Sequence, residues 1–272
     1  MQTVVALWRY PLKSARAQTL EAVDVAPGGL VGDRIWACID GVDGSVGSAK
    51  HPERWGRLLD VGTRLLDEGP DPTVMVDVGG RVERAGSADA DAALSDHLGR
   101  TVRLSRDIPP DARLHRLLPD EVGMMPDWMA DAMPGQERVT AMAGPGLIGR
   151  FVDFGAVHLV TTGALALLGR RMGGVDVAAQ RFRPNLVIAA AQDPQIGQEL
   201  RIGEVVLRVV LPTPRCVVPG LGHAGLPPDR SVLATLARHY RIPVAELGRA
   251  ACFGVYAEVV EPGRLRLGQS VS

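Results

Sequence analysis

The sequence predicts a mixed, mainly β protein: an antiparallel β-barrel domain behind an N-terminal β-barrel-like domain, both decorated by helices. Three observations carry that prediction. Short apolar runs recur along the whole chain, turns rich in glycine and proline separate them, and only a few stretches show helical periodicity. In chain order, Thr3 to Tyr10, Leu20 to Val25 and Arg34 to Asp40 read as strands, the last closed by an Asp43-Gly44 turn. Thr73 to Val78 and Arg81 to Arg84, joined by Gly79-Gly80, form a hairpin. Ser87 caps a helix that Gly99 stops, and Val102 to Leu104 returns to a sheet. From Asp107 to Gly149 the text is rich in proline, methionine and glycine with poor periodicity. The domain junction is placed there, giving an N-terminal domain over 1–110 and a second domain over 111–272.

Beyond the junction, Val157 to Thr161 is strand-like, and Thr162 is the expected cap of a helix that presents Leu165, Leu168 and Met172 on one face. Strands follow at Leu186 to Ala190 and Glu204 to Val210. A helix is expected over Ser231 to Tyr240, then strands at Gly254 to Val260 and Leu265 to Leu267.

Composition narrows the function. The 272 residues include 46% hydrophobic ones, enough for two modest cores, and the formal charge of -1 gives no general attraction to nucleic acid. No apolar run is long enough to span a bilayer, so no membrane partner is expected and a cytoplasmic location is. Cys38, Cys216 and Cys252 are widely spaced and offer no CxxC framework.

Four motifs carry chemistry. In RFRPNLVI, Pro184 favours an extended Arg183, which would put Arg181, Arg183 and Asn185 on one face, suited to a phosphate or pyrophosphate. An exposed basic strand edge has the same spacing. TPRCVVP sets Arg215 and Cys216 after an apolar strand and between prolines; the neighbouring cation favours a thiolate, while a lone cysteine at a strand end also suits a small buried hydrophobe. YPLKS places Lys13 and Ser14 just past the first strand, and GGLVGDRIW brings Arg34 behind glycines that permit close backbone approach. Met124, Met125, Met129 and Met133 around Trp128 suit either a lid or core filling. His158 and His223 have no partner at metal-ligand or triad spacing.

In their order and spacing, YPLKS, GLVGDR, HLVTT, RFRPN, PRC and the terminal FGVYAEVVEPGRLRLG resemble a MOSC protein with its N-terminal β-barrel domain, similar to the mitochondrial amidoxime-reducing components and their bacterial relatives. The resemblance implies a molybdenum cofactor, molybdopterin, with Cys216 as the protein ligand to the metal. It implies that Lys13, Ser14 and Arg34 hold the cofactor phosphate and that Arg183 and Asn185 hold pterin and phosphate from the second domain. Thr161, Thr162, Arg181 and Arg215 join the cofactor-binding set. Ala164 replaces a serine common among relatives, and Pro214 removes a backbone donor near the metal. The implied reaction is two-electron reduction of a small N-hydroxylated or N-oxide substrate, fed by an external electron donor such as a ferredoxin, flavin or cytochrome b5-type protein. Two other functions fit the same resemblance: sulfur transfer through a Cys216 persulfide, and cofactor carriage without catalysis.

Overall fold

The computed structural model describes residues 1–69, 71–142, 149–223 and 225–272. Residues 143–148 of the expected junction lie outside this set. In chain order the strands are β1 (Gln2–Arg9), β2 (Gln18–Thr19), β3 (Ala22–Ala26), β4 (Gly29–Leu30), β5 (Ala37–Asp40), β6 (Gly62–Leu65), β7 (Val74–Val78), β8 (Arg81–Arg84) and β9 (Val102–Ser105). They continue as β10 (Arg113–Leu117), β11 (Glu137–Ala141), β12 (Val157–Thr161), β13 (Leu186–Ala189), β14 (Glu199–Ile202), β15 (Val205–Pro214), β16 (Arg241–Pro243), β17 (Arg249–Glu261), β18 (Gly263–Arg266) and β19 (Ser270–Val271). The protein is mainly β, as its patterning dictates.

The largest sheet runs β14-β15-β17-β12-β13-β1-β19. Its two edges meet: Arg201 and Ser272 exchange backbone hydrogen bonds of 2.8 and 3.0 Å, so the sheet curls into a barrel. One pair departs from the antiparallel expectation. β12 and β13 run parallel, Leu159 opposite Leu186, because the helix Thr162–Arg171 carries the chain back between them. The strands do not sort by halves of the chain, since β1 inserts between β13 and β19, and β3 pairs with β18. Alternate residues of these strands, among them Leu7, Leu159, Leu186, Leu207 and Ala257, fill the barrel core.

A second core forms under the β6-β7-β8 meander, where Trp55, Leu58, Val76 and Leu94 are buried. The helix Ala88–Leu98 closes it. Its start is fixed by Ser87, which accepts a hydrogen bond from the Ala90 amide, and its end by Gly99 at φ 66°. A third cluster, including Tyr10, Leu168, Phe182, Leu236 and Phe253, joins the barrel wall to the helices Thr162–Arg171 and Arg230–His239.

Local geometry overrules the sequence at three places. The cap of the helix Thr162–Arg171 is Thr161, not Thr162: the Thr161 hydroxyl accepts from the Ala164 amide at 3.3 Å. The strand expected from Arg34 begins only at Ala37, since Arg34 has a left-handed backbone at φ 51°. The expected extended run through Arg181 and Arg183 is instead a 3-10 turn, Ala179–Phe182, followed by Arg183 at φ 55°. Proline disfavours the right-handed helical region for the residue before it, and the chain takes the left-handed alternative that ends the turn.

Candidate functional site

The loop between β15 and the 3-10 turn Val218–Gly220 carries Cys216. Pro214 ends the strand, and the Arg215 amide donates to the Ala251 carbonyl of β17 at 2.8 Å, so the half-buried thiol is set by its neighbour's anchorage. It faces a cavity of about 1250 Å³, open mouth included, between the barrel wall and the N-terminal strands.

Lys13 reaches this cavity from the segment after β1. Its ammonium donates to the Phe151 carbonyl at 3.2 Å and to Asp153 at 3.0 Å, and Lys50 meets the same carboxylate oxygen at 2.9 Å. Burial pushes the Lys13 pKa down to about 8, with Asp153 opposing that shift. The paired ammonium groups in turn outweigh burial at Asp153 and hold its carboxyl well below the usual range. Ser14, beside Lys13, is fixed at φ 65° and accepts a hydrogen bond from the Ala49 amide at 3.0 Å.

Tyr10 organises the opposite wall. Its amide donates to buried Asp33 at 2.8 Å and its hydroxyl to the Pro184 carbonyl at 3.1 Å, so the ring is held at both ends. The guanidinium of Arg183 lies over that ring at 4.3 Å, and that of Arg34 at 4.8 Å. Arg34 is also paired with Asp33. Burial works against the charge of Arg34, but Asp33 outweighs it and the guanidinium is held above its ordinary value. Arg183 has no such neighbour, and burial pushes it down to about 10.

Three of the four non-glycine residues with positive φ among the described residues, Ser14, Arg34 and Arg183, line this one cavity. Backbone conformations of this kind cluster at ligand sites in many proteins, which makes this cavity the candidate. Its unsatisfied polar atoms support the same choice. Arg183 Nη2, Arg215 Nε and His158 Nε2 are buried and have no hydrogen-bond partner among the described residues. The charge balance points the same way: Lys13, Arg34, Lys50, Arg116, Arg183 and Arg215 line the cavity, against Asp153 on its surface and Asp33 beneath Arg34.

His158 is neutral here, since burial and then Arg215 hold its pKa well below the ordinary value. Its Nδ1 lies 3.4 Å from the Arg183 carbonyl oxygen, which can only accept. Gly254 makes room for the ring: a Cβ there would stand 2.7 Å from His158 Nε2.

The structure therefore brings Lys13, Ser14, Arg34, Arg183, Asn185, Arg215 and Cys216 to one cavity. It sends three other expected residues elsewhere. Arg181 turns away because the 3-10 turn rotates it off the Arg183 face; it donates to the carbonyls of Pro219, Leu221 and Pro227. Thr161 is spent on its cap and on Asp193, to which its hydroxyl donates at 2.8 Å, and Thr162 is exposed on the outside of the helix. Asn185 has a structural task as well, accepting from the His158 amide at 3.1 Å and donating to the Trp8 carbonyl at 3.2 Å.

Lys50, Arg116, Asp153, His158 and Tyr256 were not legible as site residues. Lys50 and Asp153 sit in no motif of their own, and only their shared ion pair shows their place. The methionine cluster divides: Met124 and Met125 are buried, Met129 is half-buried on the cavity wall, and Met133 is exposed. No helix among the described residues is long and apolar enough to cross a membrane.

Comparison with known proteins adds a family. Residues 149–272 match the MOSC domain and residues 1–92 the MOSC N-terminal beta barrel domain. Mitochondrial amidoxime reducing component 2 of Rattus norvegicus is 31% identical over 128 residues, which cover 44% of this chain and 37% of that relative. The chain thus matches little more than a third of that relative's length. Among solved structures, the YUAD protein from Bacillus subtilis aligns over 100% of this chain and 94% of its own, at 12% identity and a TM-score of 0.46. YiiM from Geobacillus stearothermophilus aligns over 43% of this chain and 53% of its own, at 18% identity and a TM-score of 0.32.

Proposed function

Because the chain carries a MOSC N-terminal beta barrel domain followed by a MOSC domain, we propose that the cavity at Cys216 binds a molybdenum cofactor and serves the two-electron reduction of an N-hydroxylated or N-oxide substrate. MOSC domains in general bind this cofactor. The observation that carries the reading is the set of unpartnered buried nitrogens on Arg183, Arg215 and His158 beside a thiol, within a cationic cavity of a chain whose net charge is -1. Buried polar groups without partners are costly, and a polar ligand bearing phosphate would satisfy them. A soft thiolate suits a redox metal already held by sulfur.

In this reading Cys216 is the metal ligand. Lys13, Lys50, Arg34 and Arg116 would neutralise the phosphate, and the free edges of Arg183 and Arg215 together with the His158 imidazole would meet polar atoms of the cofactor. When bound, the cofactor supplies the oxygen-accepting, two-electron chemistry. The overall change breaks one N–O bond, consumes two electrons and two protons, and releases water: for an N-hydroxylated substrate one proton goes to nitrogen and one to the departing hydroxyl, and for an N-oxide both go to the oxygen. Tyr256, whose pKa burial pushes up to about 12, keeps its hydroxyl proton and is a donor on the cavity wall. The electrons come from a separate donor protein of the ferredoxin, flavin or cytochrome b5 class.

The test is expression in a host able to make the cofactor, with metal analysis and pterin fluorescence, followed by turnover of an N-hydroxylated amidine with a chemical reductant. Molybdenum in the wild-type protein and turnover lost in Cys216→Ala support the reading. Metal-free protein with no affinity for added cofactor overturns it. An added sulfur on Cys216, removable by reductant and seen in intact mass, favours sulfur transfer instead.

A further inference from the structure

A second cavity opens on the far side of Arg183, about 880 Å³ including its mouth, and nothing in the reading above uses it. Trp8, Leu59 and Leu226 give it apolar walls, while Arg16, Arg183 and His223 supply its polar groups. His223 is 8% exposed, and neither ring nitrogen has a hydrogen-bond partner among the described residues. Its position is enforced. The His223 and Leu226 backbones exchange hydrogen bonds of 3.0 and 2.7 Å, and Arg181 ties the surrounding loop through three carbonyls. These bonds fix the His223 backbone, and its two buried ring nitrogens are polar groups that a ligand could meet.

We propose that this cavity is a second binding site, for a small monocarboxylic acid with an apolar body. No Asp or Glu is among its described lining residues, so an anion there meets the two guanidinium groups directly. Among the acidic residues, Asp60 acts on His223. Burial, followed by the fields of Arg183 and Arg181, pushes the imidazole down to about 4, and a neutral ring offers one donor and one acceptor. The carboxylate would sit on the guanidinium groups with one oxygen accepting from the imidazole N–H, and the apolar body would lie against Trp8 and Leu226. Arg183 is the wall shared with the first cavity, so occupancy of one site would stiffen the other.

The experiment uses the full chain with benzoate as the probe, benzamide as the comparator, and NMR of the histidine side chains. Saturable shifts of the His223 imidazole signals with benzoate, weaker than about one-tenth as strong in affinity for benzamide, are expected. Arg16→Gln should weaken benzoate about tenfold or more, and Lys50→Gln, in the first cavity, should leave it unchanged. Absence of saturable His223 shifts with benzoate in the wild-type protein, or equal binding of benzamide, each overturns the proposal. The wild-type spectrum decides the matter even if a variant fails to fold.

Discussion

Lys13 and Asp153 form an ion pair of 3.0 Å whose two members titrate far from their ordinary values in the same direction, both downward. Burial disfavours the charged lysine, while two ammonium groups favour the charged aspartate. This relationship sets the pH response of the cavity.

Anion binding should weaken as pH rises through about 8, where Lys13 loses its proton. The stability term has its own sign. Below about 8 the folded and unfolded chains both hold this proton; between about 8 and the ordinary lysine value of 10.5 the unfolded chain holds more, so this group alone favours folding increasingly as pH rises. Phosphate titrations across this range should show the loss in the wild-type protein and not in Lys13→Met. A flat wild-type profile would contradict the assignment.

Arg183 is the clearest case of a residue kept at a cost. Its Nη2 has no partner and burial opposes its charge, but its stacking on Tyr10 returns about 0.5–2 kcal/mol. Arg183→Met should change stability by no more than about 1 kcal/mol while lowering phosphate affinity about tenfold or more. Chemical denaturation and calorimetry on the same variant separate the two effects; a large loss of stability with intact binding would reverse the interpretation.

Asn185 should behave in the opposite manner. Its amide holds the His158 amide and the Trp8 carbonyl together in the interior, and it is 1% exposed. Asn185→Ala leaves two buried backbone groups unpaired and should cost about 2–4 kcal/mol, read from the urea midpoint. A loss under about 1 kcal/mol would show that water replaces the amide.

Thr161→Ala should destabilise by about 1–2 kcal/mol through loss of the helix cap and of the Asp193 contact. Phosphate affinity should not move, because the residue lies outside the cavity. Thr161→Ser retains the hydroxyl and should restore most of the stability, and weakened anion binding in either variant would put Thr161 back in the site.

Features governed by neighbours in sequence were legible from the sequence. The helix between Ser87 and Gly99 was readable from its cap and its stop, and the Val74–Val78 and Arg81–Arg84 hairpin from alternation about a Gly79-Gly80 turn. The site was legible as a set of residue types: a cysteine beside an arginine, a lysine after a broken strand, and an arginine before Pro184. Its membership was not, because Arg181 and Arg183 look equivalent until the turn Ala179–Phe182 sends them to different places.

By itself, then, the sequence determined the three longer helices, the β7–β8 hairpin and the motifs that carry cations and a thiol, because turns, caps and alternation act over a few residues; β10 and β11, paired within the stretch read as aperiodic, were not legible. The tertiary structure alone decided that β1 lies within the barrel beside β13, and that Lys13 meets Asp153 and shares a cavity with Cys216. Such meetings depend on strand register and barrel closure, which are fixed by the packing of the whole core and by no local signal.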